Sequence, residues 1–192
     1  MSTSAEAVPV VTIDGPSGSG KGTVSQRIAS EFGWHLLDSG ALYRLLACAA
    51  QRDGVGLEDA AALAELAGRI NGEFAVTPES GEVVRLDGAD VTDMLRTEAT
   101  GNAASRLAAL PEVRAALLAW QRRFRRLPGL VADGRDMGTV VFPDADLKVF
   151  LTARPEVRAK RRHKQLKDKG NIVPLEEIVE EVRARDERDR SR

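Results

Sequence analysis

The feature that most narrows what this chain can become is the run Gly15-Pro16-Ser17-Gly18-Ser19-Gly20-Lys21-Gly22-Thr23. It follows a short apolar string, Val8 to Ile13, and runs into a helical stretch, Val24 to Phe32. A strand that ends in a glycine-rich loop and reopens as a helix makes an anion site. The glycines let successive backbone N–H groups turn onto a polyphosphate, and the helix start adds free donors and the positive end of its dipole. Lys21 supplies a flexible point charge for β- and γ-phosphates. The strict pattern places Ser or Thr immediately after the lysine, whereas here Gly22 stands there and Thr23 comes one residue later. Thr23 is the candidate magnesium-side hydroxyl, because a hard cation bridging phosphate oxygens takes oxygen ligands.

Two more apolar strings end in the same way. Leu130-Val131-Ala132 stops at Asp133-Gly134, and Leu147 to Leu151 stops at Thr152-Ala153-Arg154-Pro155. Strands alternating with helices predict an α/β architecture, a P-loop three-layer fold on a parallel sheet. From about Gly68 to Arg106 the pattern changes: Phe74-Ala75-Val76, a Glu79-Ser80-Gly81 turn, Val83 to Leu86, an Asp87-Gly88 turn and Ala89-Asp90-Val91 read as an inserted antiparallel meander. Helices are expected over 57–70, 111–126, 155–167 and 175–191. Residues 1–67 and 107–192 thus read as the core and 68–106 as an insert, with a basic helical stretch at about 154–172.

With 192 residues, 43% of them apolar, the chain can bury the core of one such domain with an inserted lobe. The formal charge of −1 provides no overall field for nucleic acid or anionic lipid, so attraction for phosphate must be local. Cys48, the only cysteine, lies in an apolar stretch and reads as a buried thiol in a reducing compartment. Residues 1–9 lack the pattern of a secretory signal, and no stretch approaches the roughly 20 apolar residues that span a bilayer, so a cytoplasmic protein is expected. His35 and His163 form no zinc cluster with one cysteine, and there is no Gly-x-Ser-x-Gly elbow.

Other clusters could hold a second substrate. Leu36 to Arg44 runs from a short strand into a helix, with Ser39 at a cap-like position. Ser39 reads equally as an ordinary helix cap or as a hydroxyl that, with the forked guanidinium of Arg44, holds a monophosphate. Asp133-Gly134-Arg135-Asp136-Met137-Gly138-Thr139 falls at the carboxyl edge of the sheet, where open α/β folds bind ligands. Asp133 could there orient a magnesium water or Lys21, with Arg135 and Asp136 further out toward an acceptor, or its side chain could simply stabilise a turn. Arg154, Arg158, Arg161 and Arg162 share one side of a helix, either as a solvated face or as a group closing over ATP to stabilise transition-state charge. Arg185, Asp189 and Arg192 repeat that spacing and read on spacing alone as a surface ion-pair ladder. The knot Arg122, Arg123, Arg125 and Arg126 is assigned no catalytic role, and Trp120 and Phe124 beside it are read as core residues.

Taken together, Ile13 to Thr23, Leu37 to Arg44, Asn102-Ala103-Ala104-Ser105 and Ala132 to Thr139 resemble bacterial cytidylate kinase, within the nucleoside monophosphate kinases, over nearly the whole chain. The resemblance implies transfer of a phosphoryl group from ATP with Mg2+ to CMP or dCMP, by a monomer with a mobile basic lid and a monophosphate-binding lobe enlarged by the insert. It also implies that Ser39, Arg44 and Arg135 hold the acceptor phosphate, Ser105, Arg114, Asp136 and Arg192 the cytosine, and Arg185 with Asp189 the sugar. Lys21, Arg135, Arg158 and Arg162 then carry the catalytic charge. Similar enzymes continue into a final strand and helix, whereas this chain ends at Arg192, so four core strands with an open edge are expected. Competing readings are another small P-loop kinase, a guanine-nucleotide switch, which would need an Asn-Lys-x-Asp string that the sequence lacks, and a nucleic-acid binder, for which stacking aromatics are few.

Overall fold

The computed structural model describes residues 7–77, 81–168, 170 and 172–190. Glu79 and Ser80 of the expected turn, and Arg192 of the helical stripe, lie outside the described residues. The elements begin with β1 (Val10–Asp14), α1 (Lys21–Phe32), β2 (His35–Asp38), α2 (Ser39–Asp53), α3 (Ala60–Arg69), β3 (Gly72–Thr77), β4 (Gly81–Leu86) and β5 (Ala89–Asp90). They continue with α4 (Thr92–Leu95), α5 (Glu98–Leu107), α6 (Pro111–Arg122), β6 (Leu130–Gly134), β7 (Leu147–Phe150), α7 (Pro155–Asp168) and α8 (Leu175–Arg190). A single π-helical turn, Met137–Val141, sits between β6 and β7. Two compact units result, residues 1–38 with 122–192, and residues 39–121; the antiparallel insert read at 68–106 falls inside the second.

In the first unit, four parallel strands take the order β2-β6-β1-β7. Strands flanked on both sides must be apolar along their length, and Leu130, Val131 and Ala132 of β6 are fully buried. Ile13, Ala29 and Val131 form a packed cluster with Val11, Ile28, Trp34, Leu36 and Leu151 around it. Register then fixes function's location: Ile13 lies opposite Asp133 and Asp14 opposite Gly134, so the glycine-rich loop and the Asp-Gly-Arg-Asp loop leave the sheet side by side. Among the described residues β7 lies at one edge of this sheet, with all four of its residues exposed. Helices α7 and α8 pack through Ala159, Leu166 and Ile178, joined by Val173, Leu175, Val179 and Val182.

The second unit is built on α2, whose Ala-rich interior (Leu45 to Ala50, with Cys48) is buried against Leu63, Leu66, Leu107 and Leu117. The antiparallel sheet β3-β4-β5 follows the meander read from the sequence, with 74–76 in β3, 83–86 in β4 and Ala89-Asp90 in β5. The chain turns helical at Thr92, whose N–H donates to Asp90 Oδ1 at 2.9 Å, and again where Thr97 caps α5 by accepting from the Thr100 N–H. Asn102 to Ser105 therefore lie on a helix. Helix α6 also ends at Arg122 and not at Arg126; the Arg125 N–H closes a turn onto the Arg122 carbonyl, shortly before Pro128. In the basic knot, the Arg122 guanidinium donates to the carbonyls of Val140 and Val141, and Arg125 donates to the Val8 carbonyl and Asp144. Those arginines tie loops together. Trp120 packs against the second unit's core.

Gly129 shows how tightly β6 is entered: a Cβ there would lie 2.4 Å from two Trp34 ring carbons, while its carbonyl accepts from the His35 N–H at 2.9 Å. Gly129→Ala is expected to lower unfolding free energy by about 1–3 kcal/mol, as overpacking does. Urea titration followed by tryptophan fluorescence measures it; an unchanged midpoint would contradict this packing.

Candidate functional site

The loop between β1 and α1 is shaped by glycines that no other residue replaces. Gly15 has φ 146°, and a Cβ on it would fall 2.0 Å from the Leu151 carbonyl oxygen. Gly20 caps α1 in the left-handed region at φ 103°. Helix α1 thus starts at Lys21, three residues before the helical stretch read from the sequence, and the free N–H groups of its first turn adjoin the loop.

Lys21 is 7% exposed; its Nζ donates to the Pro16 carbonyl at 3.3 Å and stands 3.6 Å from Asp133 Oδ1. Burial, and then the nearby positive charge of Arg135, lower its pKa, against the pull of Asp133, Asp38 and Asp189. Burial likewise raises the Asp133 carboxyl to about 6, with the Lys21 charge opposing the rise. A Cβ on Gly22 would lie in ordinary contact, 3.6 Å from Asp133 Oδ2, so the place of the usual Ser or Thr faces a carboxylate. Thr23 is exposed on the first turn of α1, and Ser19 Oγ is buried with no hydrogen-bond partner among the described residues.

The loop after β6 is held by a residue that sequence reasoning passed over. Asp14, the last residue of β1 and 6% exposed, accepts the N–H groups of Met137 and Gly138, each at 2.8 Å, one on each carboxylate oxygen. Burial raises its pKa despite those two bonds. A Cβ on Gly138 would meet Thr12 Oγ1 at 2.6 Å, so glycine permits the approach. A carboxylate ending an apolar strand was the available signal, since a buried charge needs donors.

Beyond Asp133, Arg135 is half-buried; its Nε donates to Asp189 at 2.6 Å and its Nη1 to the Gly134 carbonyl at 3.2 Å. Arg185, on the same helix α8, has its pKa lowered mainly by burial, while Glu181 and Asp189 pull it upward. Asp136 is half-buried at the entry to the π-helical turn. Of the expected ladder of α8, Arg185 and Asp189 therefore face inward, Asp189 onto Arg135.

The lid arginines divide. Arg154 is exposed and Arg162 half-buried, but Arg158 is only 3% exposed. Its Nε donates to the Ala153 carbonyl at 2.8 Å, and its two Nη atoms donate to both Asp186 oxygens at 2.9 and 2.5 Å; Nη1 also reaches the Ser17 carbonyl at 3.1 Å. Arg161 Nη1 donates to the Ser19 carbonyl at 3.4 Å. Asp186 gave no sequence signal, because it lies off the stripe of Arg185 and Asp189. Beside the loop opens a cavity of about 730 Å3, lined in part by Gly15, Pro16, Phe150, Thr152 and Arg154, within the range of nucleotide-sized pockets.

In the second unit, Ser39 is the buried first residue of α2, and Arg44, also on α2, donates to the Leu95 carbonyl at 2.9 Å. Ser105 and Arg114 are half-buried on α5 and α6.

A parallel sheet whose first strand opens into this loop, with a buried lysine and a carboxylate from the neighbouring strand, defines a P-loop nucleotide-binding protein. The family model for cytidylate kinase matches residues 11–192, and the chain belongs to that family. It is 58% identical over 187 residues to a cytidylate kinase of Aeromonas salmonicida, covering 97% of this chain and 81% of that one. To a cytidylate kinase of Pseudomonas putida it is 59% identical over 185 residues, again covering 81% of the relative. A solved structure described as TT1252 from Thermus thermophilus superposes with a TM-score of 0.45 at 21% identity, over 96% of this chain and 85% of that one, too loosely to add to the assignment.

Asp133 generates a pH prediction. Its folded pKa of about 6 lies above the ordinary 3.8, so its stabilising contribution is complete below about pH 4 and is lost as pH rises through 6. Relative to Asp133→Asn, the nucleotide-free protein should lose roughly 3 kcal/mol of unfolding free energy across that interval. Denaturant titrations at several pH values measure it; parallel profiles for the two proteins would contradict the assignment.

Proposed function

We propose that this protein catalyses transfer of the γ-phosphoryl group of ATP to cytidine or deoxycytidine monophosphate, giving the diphosphate and ADP. Membership of the cytidylate kinase family carries the acceptor class, and the loop around Lys21 carries the chemistry. Phosphoryl transfer needs the two nucleotides in line and charge neutralised on three equatorial oxygens; no side-chain nucleophile is required. The loop from Gly15 to Thr23 would hold the donor's phosphates, and Lys21 would exchange its weak contact with the Pro16 carbonyl for β- and γ-oxygens. Arg135 and the lid, with Arg162, would add charge as the bond to the leaving group lengthens.

Magnesium fits the donor set. Thr23 and Asp133 offer hard oxygens of the kind Mg2+ takes one or two at a time alongside substrate phosphates, and among the described residues no group of three or more His, Cys, Asp or Glu forms a cage for another metal. Thr23 and Asp133 would hold it, and it would neutralise phosphate charge when bound.

On the acceptor side, Ser39, Arg44 and Arg135 are proposed for the phosphate and Ser105, Arg114 and Asp136 for the base. Arg185 and Asp189 are proposed for the sugar, and Arg192, outside the described residues, again for the base. We further read the protein as a cytoplasmic monomer that binds neither nucleic acid nor membrane. The buried thiol of Cys48 suits a reducing compartment, and among the described residues no helix is long and apolar enough to cross a membrane.

Two variants test this reading. Lys21→Ala should abolish transfer, with near-normal turnover excluding the loop from the mechanism. Asp136 would accept a hydrogen bond from the exocyclic amine of cytosine, where uracil presents a carbonyl. A hydrogen bond to a charged group contributes roughly 1.5–3 kcal/mol. Asp136→Asn should therefore narrow the CMP-to-UMP ratio of specificity constants by about tenfold or more, mainly by impairing CMP. An unchanged ratio in a folded variant would place base recognition elsewhere.

A further inference from the structure

We propose that Asp186 is a positioning residue for the phosphate cradle, acting through Arg158 to hold the Ser17 carbonyl outward. The proposal rests on the reading of that loop as the ATP site. Arg158 carries five N–H donors, and four of the five are committed: one to Ala153, one to Ser17 and two to the carboxylate of Asp186. A buried guanidinium held this way cannot swing to a phosphate without leaving Asp186 uncompensated, which is costly. Its side chain also lies against the loop, for a Cβ on Gly18 would sit 3.4 Å from Arg158 Cβ.

The consequence for the loop is geometric. A peptide group that turns its N–H toward an anion turns its carbonyl the other way, and that oxygen needs a donor. Pro16, Ser17 and Ser19 all have cationic donors, from Lys21, Arg158 and Arg161. Arg158 differs from the other two in being fixed at its far end by a bidentate pair, which sets the guanidinium plane and therefore the direction of the N–H that reaches Ser17. The expected transition-state arginine is thus assigned to the shape of the donor site, and Asp186, remote in sequence, to that arginine.

The test is affinity for a non-hydrolysable ATP analogue with magnesium, and separately for CMP, by calorimetry. Asp186→Asn keeps the shape but removes the charge of the pair, and should weaken the analogue by roughly tenfold while CMP changes by less than about twofold. Introduced into Arg158→Met, Asp186→Asn should have no additional effect, since the two residues act as one unit. Unchanged analogue affinity overturns the proposal; so do equal losses for both ligands, which signal general loosening, and additive losses, which signal direct contact of Asp186 with nucleotide. If Asp186→Asn fails to fold, Arg158→Lys reads the same clamp from its other side, keeping the charge without the fork. It should lose the same roughly tenfold, and full analogue affinity there overturns the proposal. Wild-type protein that binds no analogue would instead reject the kinase reading itself, a distinguishable result.

Discussion

A loop can present its N–H groups to a polyphosphate only if its carbonyls are satisfied on the other side. In this chain two arginines of α7 meet that constraint, Arg158 on Ser17 and Arg161 on Ser19, while Lys21 rests on the Pro16 carbonyl that it would leave for phosphate. Much of the first unit follows from it. Helix α7 must approach the loop closely enough for two arginines to reach it, and α8 must pack on α7 through Ile178 and Val182 so that Asp186 meets Arg158. The basic helix, read either as a solvated face or as a group closing over ATP, sends Arg158 and Arg161 to carbonyls of the loop.

The second organising contact is Asp14. It ends the central strand β1 and places a carboxylate under the loop that carries Asp133, Arg135 and Asp136. Because Asp14 is also the residue before Gly15, the donor loop and the neighbouring loop share one anchor. Burial opposes its ionised form, and two backbone donors offset that opposition. The π-helical turn that follows aligns both N–H groups on the same carboxylate.

Features carried by local chemistry were legible in the sequence. Glycine spacing, an apolar strand and a following helix located the loop, and turn residues after Ala132 located the second loop at the same sheet edge. The resemblance to the family then supplied roles that spacing alone left as an ion-pair ladder. Long-range pairings were not legible. Nothing local distinguishes Asp186 from the other acidic residues of α8, and nothing in the spacing of Arg154, Arg158 and Arg162 tells which turns inward. Within 68–106 the short helices α4 and α5 were not legible from the strand pattern; Thr97 caps α5 by accepting from the Thr100 N–H.

On the proposed reading a cytosine nucleotide accepts the γ-phosphoryl group of ATP, and little ATP is lost to water. Initial rates of ADP release with ATP, Mg2+ and CMP, dCMP, UMP or AMP in turn measure this most directly. The specificity constant for CMP or dCMP should be at least about tenfold above that for UMP or AMP, with little ADP released without an acceptor. Equal use of UMP or AMP, or ADP release at the same rate with no acceptor present, would contradict it.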